Sequence, residues 1–393
     1  MKKIFRLLFV WLIVLIILFA TLEILCDIYI LHFMDKGTFT NYASVEQIFR
    51  RVNKERTELK ATLHPYKGYF LTPNYTDGCN KHNSYGFRGD ELGEKKEGEI
   101  WIACLGESTT YDSDIECWED AYPAQLEKTL NEKGIKAKVI NAGVDGWTSF
   151  EILIDFTLHV SKFPVDIVIY YGGLNDVGQT RFVYPIPDNL LERDIVLARR
   201  GIDGLFNYPF WERSSLLRIF MLKAGLAIPH TDLIFLHYSP ENRMNQFIIQ
   251  LIKGTYPSGI FKEVSPEKIL SSNPPIWFEH NIRNLILLAK SKSITPVLMT
   301  YMINTSNKND ILIVPTSPGK DILKNIMIRG INETNDVLKK LSVELNTALY
   351  DLPSYFPTEN PSLFLDLVHN TPQGAHIKAE LLGEYLINSG ICK

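Results

Sequence analysis

Four short segments hold the residue types that acyl transfer uses: a hydroxyl, a base with an orienting carboxylate, and donors for an oxyanion. In Gly106-Glu107-Ser108-Thr109-Thr110-Tyr111 a serine directly follows an apolar run. At the start of the next helix it would meet unbonded backbone N–H groups and a dipole that favours developing negative charge. Taken alone, a serine after a strand is more often a helix N-cap. In Asn141-Ala142-Gly143-Val144-Asp145-Gly146-Trp147-Thr148-Ser149 two glycines permit tight geometry, and Gly146 leaves an N–H open to a ligand. A plain turn explains that segment equally well. Gly172-Gly173-Leu174-Asn175-Asp176 ends another apolar run, and the Asn175 amide can serve an oxyanion or close an Asx-turn. Asp366-Leu367-Val368-His369 sets a carboxylate three residues before a histidine, in reach to orient its ring for work as a general base. Asp145 and Asp176, beside these groups, read as turn or cap residues.

Such residues act together only if the fold gathers them. Ile100 to Leu105 is a short apolar run ending at Gly106, which suits a buried strand. Ala137 to Asn141, Val165 to Tyr171, Thr295 to Met302 and Ala348 to Tyr350 are of the same kind. Amphipathic stretches of helical length lie between or after them: Tyr122 to Lys133, Ser149 to Ser161, Ile276 to Lys290, Asp321 to Leu345 and Gln373 to Leu386. The alternation predicts an α/β fold with a doubly wound, mainly parallel sheet sandwiched by helices. Ligands bind beyond the carboxyl ends of strands in such sheets, and three of the four segments fall there. Residues 181–272 break the pattern with helical runs at Ser214 to Leu226 and Glu241 to Lys253. They predict a largely helical insertion over or beside the site, or an added subdomain without a part in substrate choice.

Together, in this order, the four segments resemble the blocks of the SGNH hydrolases, the GDSL family of esterases and lipases. The resemblance runs from about Glu99 to Leu386, interrupted by the insertion. It also takes in Asn83-Ser84-Tyr85-Gly86-Phe87-Arg88-Gly89, similar to a segment that precedes the core in membrane-linked members. It implies a flavodoxin-like sheet and a serine esterase that needs no cofactor or metal. Ser108 matches the nucleophile, with Asp366 and His369 completing the catalytic set. Ser108, Gly146 and Asn175 match the oxyanion hole. Glu107 replaces the usual Asp or Gly, and Thr109 the Leu of GDSL; neither change removes a catalytic group. Thr110 stands where a Gly-x-Ser-x-Gly elbow needs its second glycine, which disfavours the α/β-hydrolase alternative. Open readings are an O-acetyl esterase of cell-surface glycan, an O-acyltransferase with the same residues, a lipid esterase, and a non-catalytic binding protein.

Composition narrows the setting. At 393 residues and a net charge of −4, the chain can bury a full core and shows no basic excess of the kind nucleic acid requires. Lys2, Lys3 and Arg6 precede an apolar run from Leu7 to Leu22, and the chain stays largely apolar to Met34. No small-x-small site closes the run, so the expectation is a retained transmembrane anchor rather than a cleaved signal. The basic end then lies in the cytoplasm and the remainder outside, though Arg50, Arg51 and Lys54 weaken that polarity. The expected organisation is 1–34 basic end and anchor, 35–95 membrane-proximal extension, and 96–390 hydrolase domain. The five cysteines have no zinc spacing. Outside the cytoplasm Cys79 and Cys117 could pair; otherwise they are free thiols.

Overall fold

The structure is a computed structural model that describes residues 2–35, 38, 39, 42–44, 47, 60–64, 66–177, 211, 214–227, 266–306 and 320–392. By compactness the chain divides into two units, one drawn from residues 1–62 and 194–243 and the other from 63–193 and 244–393.

In the first unit, α1 (Lys2–His32) is a continuous apolar helix. Its mean hydropathy reaches 2.9, none of its most apolar stretch is buried, and by length and composition it can cross a membrane or serve as a signal sequence. Near its far end Glu23 accepts hydrogen bonds from Ser214 Oγ (2.8 Å), the Ser215 N–H and the Leu216 N–H (3.2 Å). A carboxylate here meets the unbonded N–H groups at the start of a short helix, Ser215–Lys223. That helix lies within the run expected from Ser214 to Leu226. The helical run expected at Glu241 to Lys253 falls outside the described residues.

The second unit opens with short strands: the end of β1 (Ala61–His64), then β2 (Gly68–Leu71), then an antiparallel pair, β3 (Thr76–Asp77) and β4 (Asn80–Lys81). Next come β5 (Ile100–Gly106), β6 (Ala137–Gly143), β7 (Ile167–Tyr171), β8 (Thr295–Met299) and β9 (Ala348–Tyr350), joined as one sheet in the order β6-β5-β7-β8-β9. Every neighbouring pair is parallel. All of β7 and six of the seven residues of β5 are buried, which is why these strands read as unbroken apolar runs rather than alternating ones. Within β5, Ile102 and Cys104 join the core cluster of Leu126, Leu130, Leu382 and Leu386. Those partners lie on α3 (Tyr122–Glu132) and the last helix, Pro372–Asn388. Trp101, Ala103 and Leu105 alternate with them and are buried as well. Helices Ser149–Leu158, Ile276–Ser291 and Lys320–Glu344 pack together as a second layer. The expected doubly wound α/β sheet is present, with the flavodoxin-like strand order.

That order reverses between β5 and its neighbours β6 and β7, and a crevice opens at such a switch point. One detail differs from expectation. Ser108 begins a helix of a single turn, α2 (Ser108–Tyr111), which stops where Asp112 turns left-handed at φ 60°. The dipole at Ser108 is thus that of one turn, because α3 begins eleven residues after α2 ends.

Candidate active site

Two glycines explain how the serine turn lies so close on the sheet. A Cβ on Gly106 would collide with Thr110 Oγ1 and the Tyr171 carbonyl, and one on Gly143 with the backbone nitrogen of Tyr111. The ends of β5, β6 and β7 therefore meet the turn through backbone. Across from them, a tight loop is closed by the Leu365 N–H donating to the His369 carbonyl at 2.8 Å. Inside this loop the Asp366 carboxylate accepts the N–H groups of Val368 (2.8 Å) and His369 (2.7 Å). It also accepts from His369 Nδ1 at 2.6 Å. A carboxylate so close fixes the ring proton on Nδ1 and leaves Nε2 as acceptor. The Ser108 hydroxyl donates to Nε2 at 2.9 Å.

Charge at the imidazole follows from its neighbours. Burial works against the imidazolium, but Asp366, then Asp114 and Asp145, more than offset it and raise the His369 pKa to about 9. Burial likewise pushes Asp366 up, yet the histidine's charge and hydrogen bonds hold it below the usual carboxylate range.

The other two predicted residues stand at the ends of β6 and β7. Gly146 takes φ +73° in the loop after β6. After β7, the Asn175 side-chain amide donates to the Trp147 carbonyl at 3.0 Å, leaving its second hydrogen for another acceptor. Asp176 accepts from the Ser149 N–H (2.8 Å) and hydroxyl (2.5 Å), the work of a helix cap. A serine hydroxyl bonded to a carboxylate-held imidazole can lose its proton as it attacks a carbonyl.

The GDSL-like Lipase/Acylhydrolase profile matches residues 104–377. The chain belongs to this family. It is an ester-hydrolysing enzyme. No curated relative matches the acylhydrolase. Among solved structures it is similar to a GDSL-like lipase from Bacteroides thetaiotaomicron, at 12% identity and TM-score 0.38, covering 76% of this chain and 93% of that one. An acetyl xylan esterase from Geobacillus stearothermophilus aligns at 15% identity and TM-score 0.39, over 72% and 91% of the two chains. A lipase/acylhydrolase from Enterococcus faecalis aligns at 13% and 0.38, over 75% and 97%.

Several residues around these groups carry no role that the sequence alone assigns. Glu107 turns its buried carboxylate toward the β7 loop and accepts the N–H groups of Gly173 (3.2 Å), Leu174 (3.0 Å) and Asn175 (2.9 Å). Lys378, wholly buried on the last helix, donates to the Thr109 carbonyl at 3.0 Å and lies 3.5 Å from Asp112. Its signal was legible: a lysine on the stripe of Ala375, Ala379, Leu382 and Leu386 needs a buried partner. Asp114, half exposed, reaches His369 Nδ1 at 3.4 Å across a loop that no sequence pattern links to the histidine. Asp114, Asp366 and His369 together bring possible donor atoms within 4.8 Å of one another. Both His369 nitrogens are engaged already, by Ser108 and Asp366, so we assign this cluster no metal.

Cys79 and Cys117 form a disulfide, joining the β3–β4 hairpin to the segment after the serine turn. This resolves the choice left open between pairing and free thiols. Cys26, Cys104 and Cys392 remain free.

Proposed function

We propose that Ser108 is the nucleophile of this esterase, with His369 as general base and Asp366 as its orienting carboxylate. The observation that carries the reading is the unbroken line Ser108 Oγ–His369 Nε2 at 2.9 Å and His369 Nδ1–Asp366 at 2.6 Å. In the first step Ser108 Oγ attacks the ester carbonyl and its proton passes to Nε2. Asp366 balances the imidazolium that forms. The backbone N–H groups of Ser108 and Gly146 and the free hydrogen of the Asn175 amide receive the oxyanion. Collapse expels the alcohol, which takes the proton from His369 and leaves an acyl-serine. Water repeats the sequence and releases the acid.

The proposed setting is a domain tethered by α1 and facing the outside of the cytoplasmic membrane. Lys2, Lys3 and Arg6 on the inner side support that orientation, and so does the Cys79–Cys117 disulfide, since such bonds persist in oxidising compartments. The proposed substrate is an O-acyl ester of cell-surface glycan, a class within reach of a tethered domain.

The test is incubation of the full chain with acetylated glycans and with acyl lipids, measuring released acid, alongside Ser108→Ala. Acetate released from glycan by the parent alone is the expected result. A Ser108→Ala protein that still hydrolyses p-nitrophenyl acetate or reacts with a fluorophosphonate overturns the nucleophile assignment. Release from lipids only, rising with acyl length, overturns the glycan assignment.

A further inference from the structure

We infer that Asp114 is a second carboxylate partner of His369, a positioning residue that the segment before the core holds against the imidazole. The inference rests on His369 acting on Ser108 as proposed above. Asp114 Oδ2 lies 3.4 Å from Nδ1, the nitrogen that Asp366 binds at 2.6 Å. Two carboxylates from distant parts of the chain thus share one ring nitrogen.

The loop that carries Asp114 has little regular structure, so its placement needs another cause. Arg88 supplies it. One guanidinium nitrogen donates to the carbonyls of Tyr111 (2.6 Å) and Asp112 (2.9 Å), the other to those of Ile115 (2.6 Å) and Glu116 (3.3 Å). Arg88 Nε donates to Asn80 Oδ1 at 2.8 Å, and the guanidinium lies over the Tyr111 ring. A single planar fork therefore fixes the backbone on both sides of Asp114. The Cys79–Cys117 disulfide pins the end of the same loop. Within it, Ser113 donates its hydroxyl to the Asp145 carboxylate, so the neighbour of Asp114 is tied to the β6 loop. A buried arginine committed to main-chain carbonyls orders a loop, and the side chain this loop presents to the imidazole is an acid.

The chemical consequence concerns charge. The Asp366 carboxylate already serves two backbone N–H groups besides the ring. As His369 takes the serine proton, Asp114 adds a second negative charge beside it. The groups that act on the imidazole are Asp366 from its own loop, Asp114 from the serine loop and Asp145 from the β6 loop, with Tyr301 beside Asp366. Asp114 thereby makes the base stronger and moves the acid limb of activity upward.

The experiment compares kcat/KM against pH for the full-length parent, Asp114→Asn and Asp114→Glu. Asp114→Asn should move the acid limb down by about one pH unit, the low end expected for a close but half-exposed charge. Asp114→Glu, which keeps the carboxylate, should move it less. NMR titration of the His369 imidazole with and without Asp114→Asn, in the Ser108→Ala background, should show the same displacement without any turnover. An unmoved imidazole pKa overturns the inference. If Ser108→Ala retains esterase activity, the underlying catalytic assignment has failed instead, so the two failures are separable.

Discussion

Glu107 and Asn175 are joined directly: the carboxylate of the residue before Ser108 accepts the Asn175 N–H at 2.9 Å. Through this bond and those to Gly173 and Leu174, the end of β5 sets the position of the loop after β7. Burial, opposed by the Asn175 N–H and aided by Asp176, lifts the Glu107 carboxyl to about 7. Glu107→Gln keeps the volume but turns an NH2 toward one of three N–H groups, which displaces the loop. A shift approaching 1 Å at a catalytic group can cost roughly 10²-fold in rate. The expected result is a fall in kcat of that order with KM nearly unchanged; a parental kcat would mean that the carboxylate does not set the loop.

Asn175→Ala removes the amide proposed to meet the oxyanion. Loss of one such donor costs about 3–4 kcal/mol of transition-state stabilisation, or roughly 10²–10³ in kcat. The same change frees the Trp147 carbonyl of its 3.0 Å bond, a stability cost of about 1 kcal/mol. Steady-state kinetics paired with thermal unfolding should show a large loss in the first and a small one in the second. Equal and modest effects on both would mark Asn175 as structural.

His369 should make activity and stability respond to pH in opposite directions. Its folded pKa of about 9 exceeds the ordinary 6.5, so the folded state binds the proton more tightly. The resulting stabilisation is complete below pH 6.5 and is lost as pH rises through 9. General-base action needs the neutral ring, so kcat/KM should climb over that same interval. Parallel pH series of kcat/KM and of the denaturation midpoint test this. A plateau of activity already reached at pH 6 would contradict it.

The fold was legible because its central strands, β5 and β7, are buried almost throughout. Runs such as Ile167 to Tyr171 have no alternation to confuse with a surface strand, and the helices between them carry clear apolar stripes. The four chemical segments could be ordered by likeness to a family pattern. Their side-chain partners could not. Glu107 reads as a substitution without a role until the N–H groups of Gly173 to Asn175 are seen to converge on it. Asp114 lies beside His369 on a loop that Arg88, 26 residues earlier, helps to shape through backbone carbonyls, which leave no mark in sequence. The length of α2 was hidden for a related reason: Asp112 stops it by turning left-handed, and its carboxylate then accepts from the Tyr122 N–H at 2.5 Å.

Opening the Cys79–Cys117 bond should loosen the serine loop and destabilise the domain together. The bond closes a stretch of 38 residues, for which the chain-entropy estimate is roughly 4 kcal/mol of stability. Cys104, fully buried in β5, and Cys392, also buried, are not part of the bond and are shielded from mild reductant. Treating the full chain with a mild reductant and an alkylating agent should therefore add mass at Cys79 and Cys117 before Cys104. The denaturation midpoint should fall in step with that modification. Activity should fall too, through Asp114, whose loop would keep Arg88 as its remaining tie to the preceding segment. A Cys79→Ser, Cys117→Ser double variant provides the check free of reagent. If it matches the parent in midpoint and rate, the disulfide contributes nothing to the site.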